Sequence, residues 1–290
     1  MTALDNLAAP TDRAYRRWRR VNASIMVGGT LVALVVLAAL TSFVWTPHDA
    51  VHVDAAHRLA PAFSDGFLLG TDKFGRDVAS QVMVGARTTL FVGIVAVGVA
   101  AVIGTPLGVL AGMAGGWLSE VVMRANDLLF AFPALLLAIM LGAVFGASTL
   151  TAMIAIGVAT IPAFARVARG QTLGVMHTEY ILAARAAGRS RLAIALRHVL
   201  PNIASILIVQ ASVSFAIAIL AEAALSFLGF GTRPPTPSWG RMLQESQELL
   251  FSTPRLAFVP GVAIALAVLG FNLLGDGLRD WLDPKLREHR

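Results

Sequence analysis

Thr178-Glu179-Tyr180-Ile181-Leu182-Ala183-Ala184-Arg185-Ala186-Ala187-Gly188, continued by Arg189 to His198 and closed by Val199-Leu200-Pro201-Asn202, decides the fold. It fills most of 165–202, the one long polar break between strongly apolar segments that has a pattern of its own. Thr178 is a predicted N-cap, and good helix formers follow it. Gly188 ends that short helix, because glycine alone takes a left-handed conformation at no steric cost. A second short helix is expected through Leu192, Leu196 and Leu200, with Pro201 forbidding its continuation. Two short amphipathic helices at an angle, studded with arginine, form a docking knob.

The segments around this break are those of a membrane protein. Of 290 residues, 57% are hydrophobic and 14% charged. A water-soluble domain of that composition would expose too much apolar surface. The net charge of +6 comes from arginine clusters between apolar runs. Anionic lipid and membrane orientation explain these better than nucleic acid does. The absence of cysteine excludes disulfides, thiolate nucleophiles and Cys-ligated metal.

Taken in order, residues 1–22 form a polar arm with Arg13, Arg16, Arg17, Arg19 and Arg20 close to the membrane. The run 23–45 is long enough to cross a hydrocarbon core of roughly 30 Å. No small-residue cleavage motif follows it, so it is expected to remain as an anchor. A hydrophilic loop, 46–87, leads into 88–275, which holds five further apolar runs: Thr88 to Leu110, Leu128 to Phe145, Leu150 to Val167, Ile203 to Phe230 and Leu256 to Leu274. An outer loop, 229–254, and a tail, 276–290, complete the chain. Gly104, Gly108 and Gly112 recur at the small-x-x-x-small spacing of closely packed membrane helices. With six spans and the N-terminus inside, inner segments carry sixteen basic residues and outer loops seven. That bias places both termini and the 165–202 loop in the cytoplasm.

Ala183-Ala184, Gly188 four residues on, and Leu200-Pro201 together resemble the loop that ABC importer permeases present to their ATPase. Leu182 stands where the general pattern has Glu, and His198 where it has Ile. The peptide-importer branch is matched more closely, by Glu179-Tyr180 and by Arg197-His198-x-Leu200-Pro201-Asn202. Three more segments are similar to that branch: Leu69-Gly70-Thr71-Asp72-Lys73-Phe74-Gly75-Arg76-Asp77; Glu222 to Gly229 with Gly231 to Leu243; and Asn272 to Asp280 with Leu282-Asp283-Pro284. The chain thus resembles, over about 20–286, the C-type permease subunit of oligopeptide and dipeptide importers.

The resemblance implies an all-α membrane protein of six transmembrane helices, of the type I importer fold, in the bacterial plasma membrane. Its implied partners are a B-type permease, two cytoplasmic ATP-binding subunits and an extracytoplasmic substrate-binding protein, besides membrane lipid. No cofactor is expected on this chain, ATP and magnesium belonging to the ATPases. The coupling residues would be Glu179, Tyr180, Ala183, Ala184, Arg185, Gly188, Arg197, His198, Leu200 and Pro201. Peptide is the expected cargo, with glutathione, nickel or haem as alternatives within the family.

The residues themselves exclude hydrolysis of ATP by this chain. A Walker A loop needs Gly-Lys before Ser or Thr, whereas Lys73 and Lys285 follow Asp72 and Pro284. No His-Glu-x-x-His occurs, and no serine has a suggestive histidine neighbour. His48, His52 and His57, with Asp49 and Asp54, form a cluster that either ligates a metal or is simply solvated. Gln210, Ser214 and Glu222 either line a translocation path or, for Glu222, cap a helix end or pair with a loop arginine. Asp72, Arg76 and Asp77 read as a self-satisfied turn or, with Trp239, as a surface for an outer partner. Asp127 is expected to pair with Arg124. An ATP-independent carrier or channel is the alternative function, to be told by inverted repeats and midplane charges. A membrane-embedded hydrolase is a third.

Overall fold

Hydropathy dictates the long elements, because a backbone crossing lipid must satisfy its own hydrogen bonds. The computed structural model describes the backbone of residues 9–282 and the side chains of 23–282. The arm's arginines and Asp283, Pro284 and Lys285 therefore lie outside the described side chains. Helix α1 spans Ala9–Val44, α2 Val78–Ala114, α5 Thr149–Met176 and α10 Arg255–Leu282. Helix α8, Leu200–Phe227, continues the short α7, Arg191–Ile194, through the turn Ala195–Val199. All five have apolar windows long enough to cross a membrane.

The expected single span from Leu128 to Phe145 is broken. Helix α3, Gly116–Ala131, and α4, Ala134–Phe145, meet at 81°. The cause is local: Phe132, ahead of Pro133, is held extended (φ −81°, ψ 127°), as a pre-proline residue prefers. Among the described residues, five helices are thus long and apolar enough to cross a membrane, or six if the bent pair serves as one. Asp127 accordingly pairs with Arg166 of α5 at 2.7 Å, and Arg124 with Glu120 at 2.9 Å, instead of with each other.

Small residues set the helix contacts. A Cβ on Gly104 would stand 2.6 Å from the Ile161 carbonyl oxygen, and one on Gly112 2.7 Å from Thr172 Cβ, so α2 and α5 touch almost backbone to backbone. Gly28 of α1 meets α10 in the same way, at the Leu274 amide. Arg87 of α2 adds a polar tie to α1, donating to the Ser42 hydroxyl and carbonyl while its guanidinium covers the Phe43 ring. One apolar core joins α2, α4, α5 and α8, and a second joins α1, α2, α8 and α10.

Candidate functional site

The first site is the knob; its end of the bundle is called inner, after the charge bias of the sequence, and the opposite end outer. Helix α6, Glu179–Ala186, ends on Gly188 at φ +72°. The Arg189 amide donates to the Ala184 carbonyl (3.1 Å) and the Gly188 amide to that of Arg185 (2.9 Å). This pair of bonds is the Schellman arrangement, which demands a left-handed residue at that position. Thr178 is the N-cap by position, but its hydroxyl donates back to the Val175 carbonyl at 2.6 Å and leaves the α6 amides uncapped.

Pro201 does not end the second helix. The chain runs from Arg191 through to Phe227, and the strain of the proline is taken up just before it. Ala195–Val199 form a π-turn in which the Leu200 amide reaches the Ala195 carbonyl, five residues back. That wider turn relieves the clash between a proline ring and the carbonyl four residues earlier. The Asn202 side-chain amide then donates to the His198 carbonyl at 2.6 Å.

The knob has two faces. Ile181, Ile194, Val199 and Ile203 are buried with Val109 of α2 and Ala168 and Met176 of α5. Each such aliphatic side chain contributes roughly 1.5–3 kcal/mol on burial, so the knob is fixed to the inner ends of three helices. On the other face Tyr180, Leu182, Leu192 and Leu196 are exposed, between 43% and 68%. Glu179, Ala183, Arg185, Arg189, Arg191 and Arg197 are exposed beside them, and the rings of Tyr180 and His198 lie 6.1 Å apart. Among the described residues no ion pair holds these arginines. The face combines apolar and cationic groups, and no ion pair among the described residues covers it.

The outer side is organised by charge. Helix α9, Trp239–Ser246, lies in the last outer loop. Arg76 pairs with Asp72 of its own turn at 2.6 Å and, across the molecule, with Glu245 of α9. Glu245 also pairs with Arg241 at 2.6 Å, and Lys73 with Glu248 at 3.1 Å. Burial pulls the Arg76 guanidinium down, but the charges of Asp72 and Glu245 outweigh it and hold it above its usual value. Arg255 donates to the carbonyls of Leu69, Ala60 and Thr71, seating the first outer loop on α10. Asp77 is 1% exposed and caps α2 through the Ala79 and Ser80 amides.

These placements correct the outer-partner reading. Trp239 is 2% exposed, with its indole donating to the Val82 carbonyl at 2.9 Å. Asp72, Arg76, Asp77 and Trp239 bind the two outer loops to each other and to α2. Two of the three first-loop histidines are engaged too: His57 pairs with Asp54 at 2.7 Å, and His48 and His57 flank the Phe67 ring. The Asp54 hydrogen bond and charge raise the His57 pKa, and His57 in turn lowers that of Asp54.

Residues 104–288 match the family described as "Binding-protein-dependent transport system inner membrane component". The chain belongs to that family. It is 40% identical to the glutathione transport system permease protein GsiD of Pectobacterium atrosepticum, over 97% of this chain and 93% of that protein. Identity with the dipeptide transport system permease protein DppC of Alkalihalophilus pseudofirmus is 39%, over 99% and 97% of the two chains. GsiD of Escherichia coli O6:K15:H31 is 42% identical, over 98% of this chain and 93% of its own length. Among solved structures, a chain of the MetNI methionine ABC transporter in an inward-facing conformation superposes with a TM-score of 0.58. That match covers 68% of this chain and 93% of the other at 20% identity, and supports the fold. The chain is thus the permease subunit of an ABC importer, with the type I permease fold.

Within the permease, the three polar residues considered for a translocation path do not form an open polar stripe. Ser214 and Glu222 are each 1% exposed, and Gln210 donates to Ser214 at 3.1 Å. Among the described residues no loop arginine pairs with Glu222. Its Oε1 accepts instead from the Ser226 hydroxyl at 2.7 Å and more weakly from that of Thr232 at 3.4 Å. Sequence reading missed Arg255 and Glu245 as organisers of the outer side, since the carbonyls that Arg255 reaches and the Arg76 that Glu245 holds lie more than 160 residues away.

Proposed function

We propose that this permease is the C-type subunit of an ATP-driven importer of short peptides, glutathione included. The reading of the cargo rests on relatives named for glutathione and for dipeptide transport. Both are short peptides in the chemical sense, and neither name points to nickel or haem. The assembly would hold a B-type permease, two cytoplasmic ATPases carrying ATP and magnesium, and an extracytoplasmic binding protein. Both termini would be cytoplasmic, as the basic residues favour.

The observation that carries the mechanism is the two-faced knob. Its apolar root joins the inner ends of α2, α5 and α8, so displacement of the knob displaces all three helices together. Its exposed face, from Glu179, Tyr180, Ala183 and Arg185 round to Arg197, would seat on an ATPase, while Ala184 packs against the root. His198, Leu200 and Pro201 sit at the π-turn, where that movement passes into α8. ATP-driven closure of the ATPases would thus bias the permease from inward-open to outward-open.

The test is recovery of partners from detergent-solubilised membranes. The tagged chain should bring down a second permease and an ATPase. Gly188→Leu and Arg185→Glu should reach the membrane normally and lose the ATPase. Recovery of the ATPase at the parent level by both variants would remove the knob from the coupling path.

A further inference from the structure

Glu222 is the one carboxyl side chain of α8, near the end of that mostly apolar helix, and the permease mechanism above does not use it. A lone carboxyl among apolar helices is costly unless its position is used, and such groups face a partner or a cavity. Among the described residues no ion pair reaches it, and its neighbours are hydroxyls. Ser226 and Thr232 donate to Oε1, and the Thr89 and Ser238 hydroxyls lie beside the carboxyl. Oε2 and Thr89 Oγ1 are both buried without a hydrogen-bond partner.

These hydroxyls come from different parts of the chain. Thr89 belongs to α2 and Ser226 to α8; Thr232 lies in the crossing that leaves α8, and Ser238 is the N-cap of α9. The crossing is tied down around the same point. The Thr232 amide donates to Ser226 Oγ at 3.0 Å, and the Thr88 hydroxyl to the Pro237 carbonyl at 3.0 Å. Thr149, at the outer start of α5, reaches Thr232 at 3.4 Å. The crossing packs tightly on α8, where a Cβ on Gly231 would collide with Ser226 and one on Gly240 with Ala223.

We propose that Glu222 is the positioning residue of the permease's outer closure: its carboxyl gathers hydroxyls from α2, α8, the 228–238 crossing and the α9 cap, and so fixes where that crossing lies over the outer ends of the helices. The role is one of hydrogen bonding. Glutamine therefore fills it, with its oxygen accepting from Ser226 and Thr232 and its amide donating to the unpartnered Thr89 oxygen. Leucine matches the size and offers neither bond.

The chain has no cysteine, so single reporters can be read against a blank background. Met242→Cys places a thiol on the buried face of α9, outside the hydroxyl cluster, and Val109→Cys places one in the inner core. Each is combined with Glu222→Gln or Glu222→Leu in the chain assembled with its partner subunits in membranes, and labelled with N-ethylmaleimide. The parent and E222Q should label position 242 at the same slow rate, E222L at least about fivefold faster, and position 109 should stay unchanged throughout. An unchanged rate at 242 in E222L overturns the proposal. Equal opening of both reporters also overturns it, since the residue would then support the whole fold. E222Q behaving as E222L would overturn the hydrogen-bonding role.

Discussion

The two ends of the permease are fastened by opposite means. At the inner end, the knob is held by aliphatic side chains alone, Ile181, Ile194, Val199 and Ile203 against α2 and α5, while its charges point away. At the outer end, ion pairs and hydrogen bonds join loops that are far apart in sequence, Arg76 to Glu245 and Arg255 to Leu69 among them. Apolar burial has no preferred direction, so it anchors the knob and leaves its polar groups free for a partner. Directional bonds consume the polar groups that make them, so the outer loops fix one another's geometry and keep few charges to spare.

The inner end should therefore be the more sensitive to a buried charge. Ile181→Asp places an unpaired carboxylate at a site that is 0% exposed, and a loss of about 3–5 kcal/mol is expected. The knob should become protease-sensitive while the outer loops remain resistant. Equal cleavage at both ends would show that the anchor is not local to the knob.

Arg76→Ala is the outer counterpart. It leaves Asp72 and Glu245 facing each other without their shared cation, with side-chain exposures of 13% and 16%. A loss of about 2–3 kcal/mol, less than for the inner change, is expected in thermal unfolding of the detergent-solubilised chain. Asp72→Asn should recover part of it, because Asp72 is the carboxylate left without a cation while Glu245 keeps Arg241.

Pro201→Ala separates geometry from stability. It restores a missing amide and should change stability by less than about 1 kcal/mol. If the π-turn then closes to an α-turn, the knob rotates by about 100° relative to α8, one residue of helical register. Uptake should fall by at least about tenfold with insertion unchanged. Parent-level uptake would show that the direction of the knob is immaterial.

The smallest effect belongs to the exposed His57–Asp54 pair. The His57 pKa is raised from 6.5, so its contribution is complete below that value and fades as pH rises through the folded value. The Asp54 pKa is lowered from 3.8, so its contribution is present above 3.8 and fades as pH falls through the folded value. Limited proteolysis of the first outer loop should be slower at about pH 5.5 than at about pH 8.5, and His57→Ala should abolish the difference.

How much of this was legible in the sequence follows from the same contrast. The long helices were readable because lipid forces twenty or so apolar residues into one element, and Gly188 because a left-handed C-cap favours glycine. The break at Phe132-Pro133 was hidden inside a uniformly apolar run, where hydropathy has no feature to show. Pro201 was misread as a stop because a proline ends a regular α-helix but not one that first widens to a π-turn. Trp239 was placed among partner-facing residues because its bond to Val82, 157 residues away, leaves no local pattern, whereas Asp77 makes a local helix cap that its sequence context also allows. The apolar half of each site can be read along the chain; the polar half depends on three-dimensional closure.

The most direct measurement bears on the knob's exposed face. Leu192→Cys on the knob and Phe251→Cys on the outer loop both give exposed single thiols in a chain that has no others. Each would be treated with a short bifunctional maleimide in membranes holding the co-expressed ATPase with a cysteine at its membrane-facing groove. A cross-link to the ATPase from position 192 and none from position 251 is the expected result. No cross-link from 192 in an importer still active in uptake, or equal cross-linking from both positions, would contradict docking through the knob.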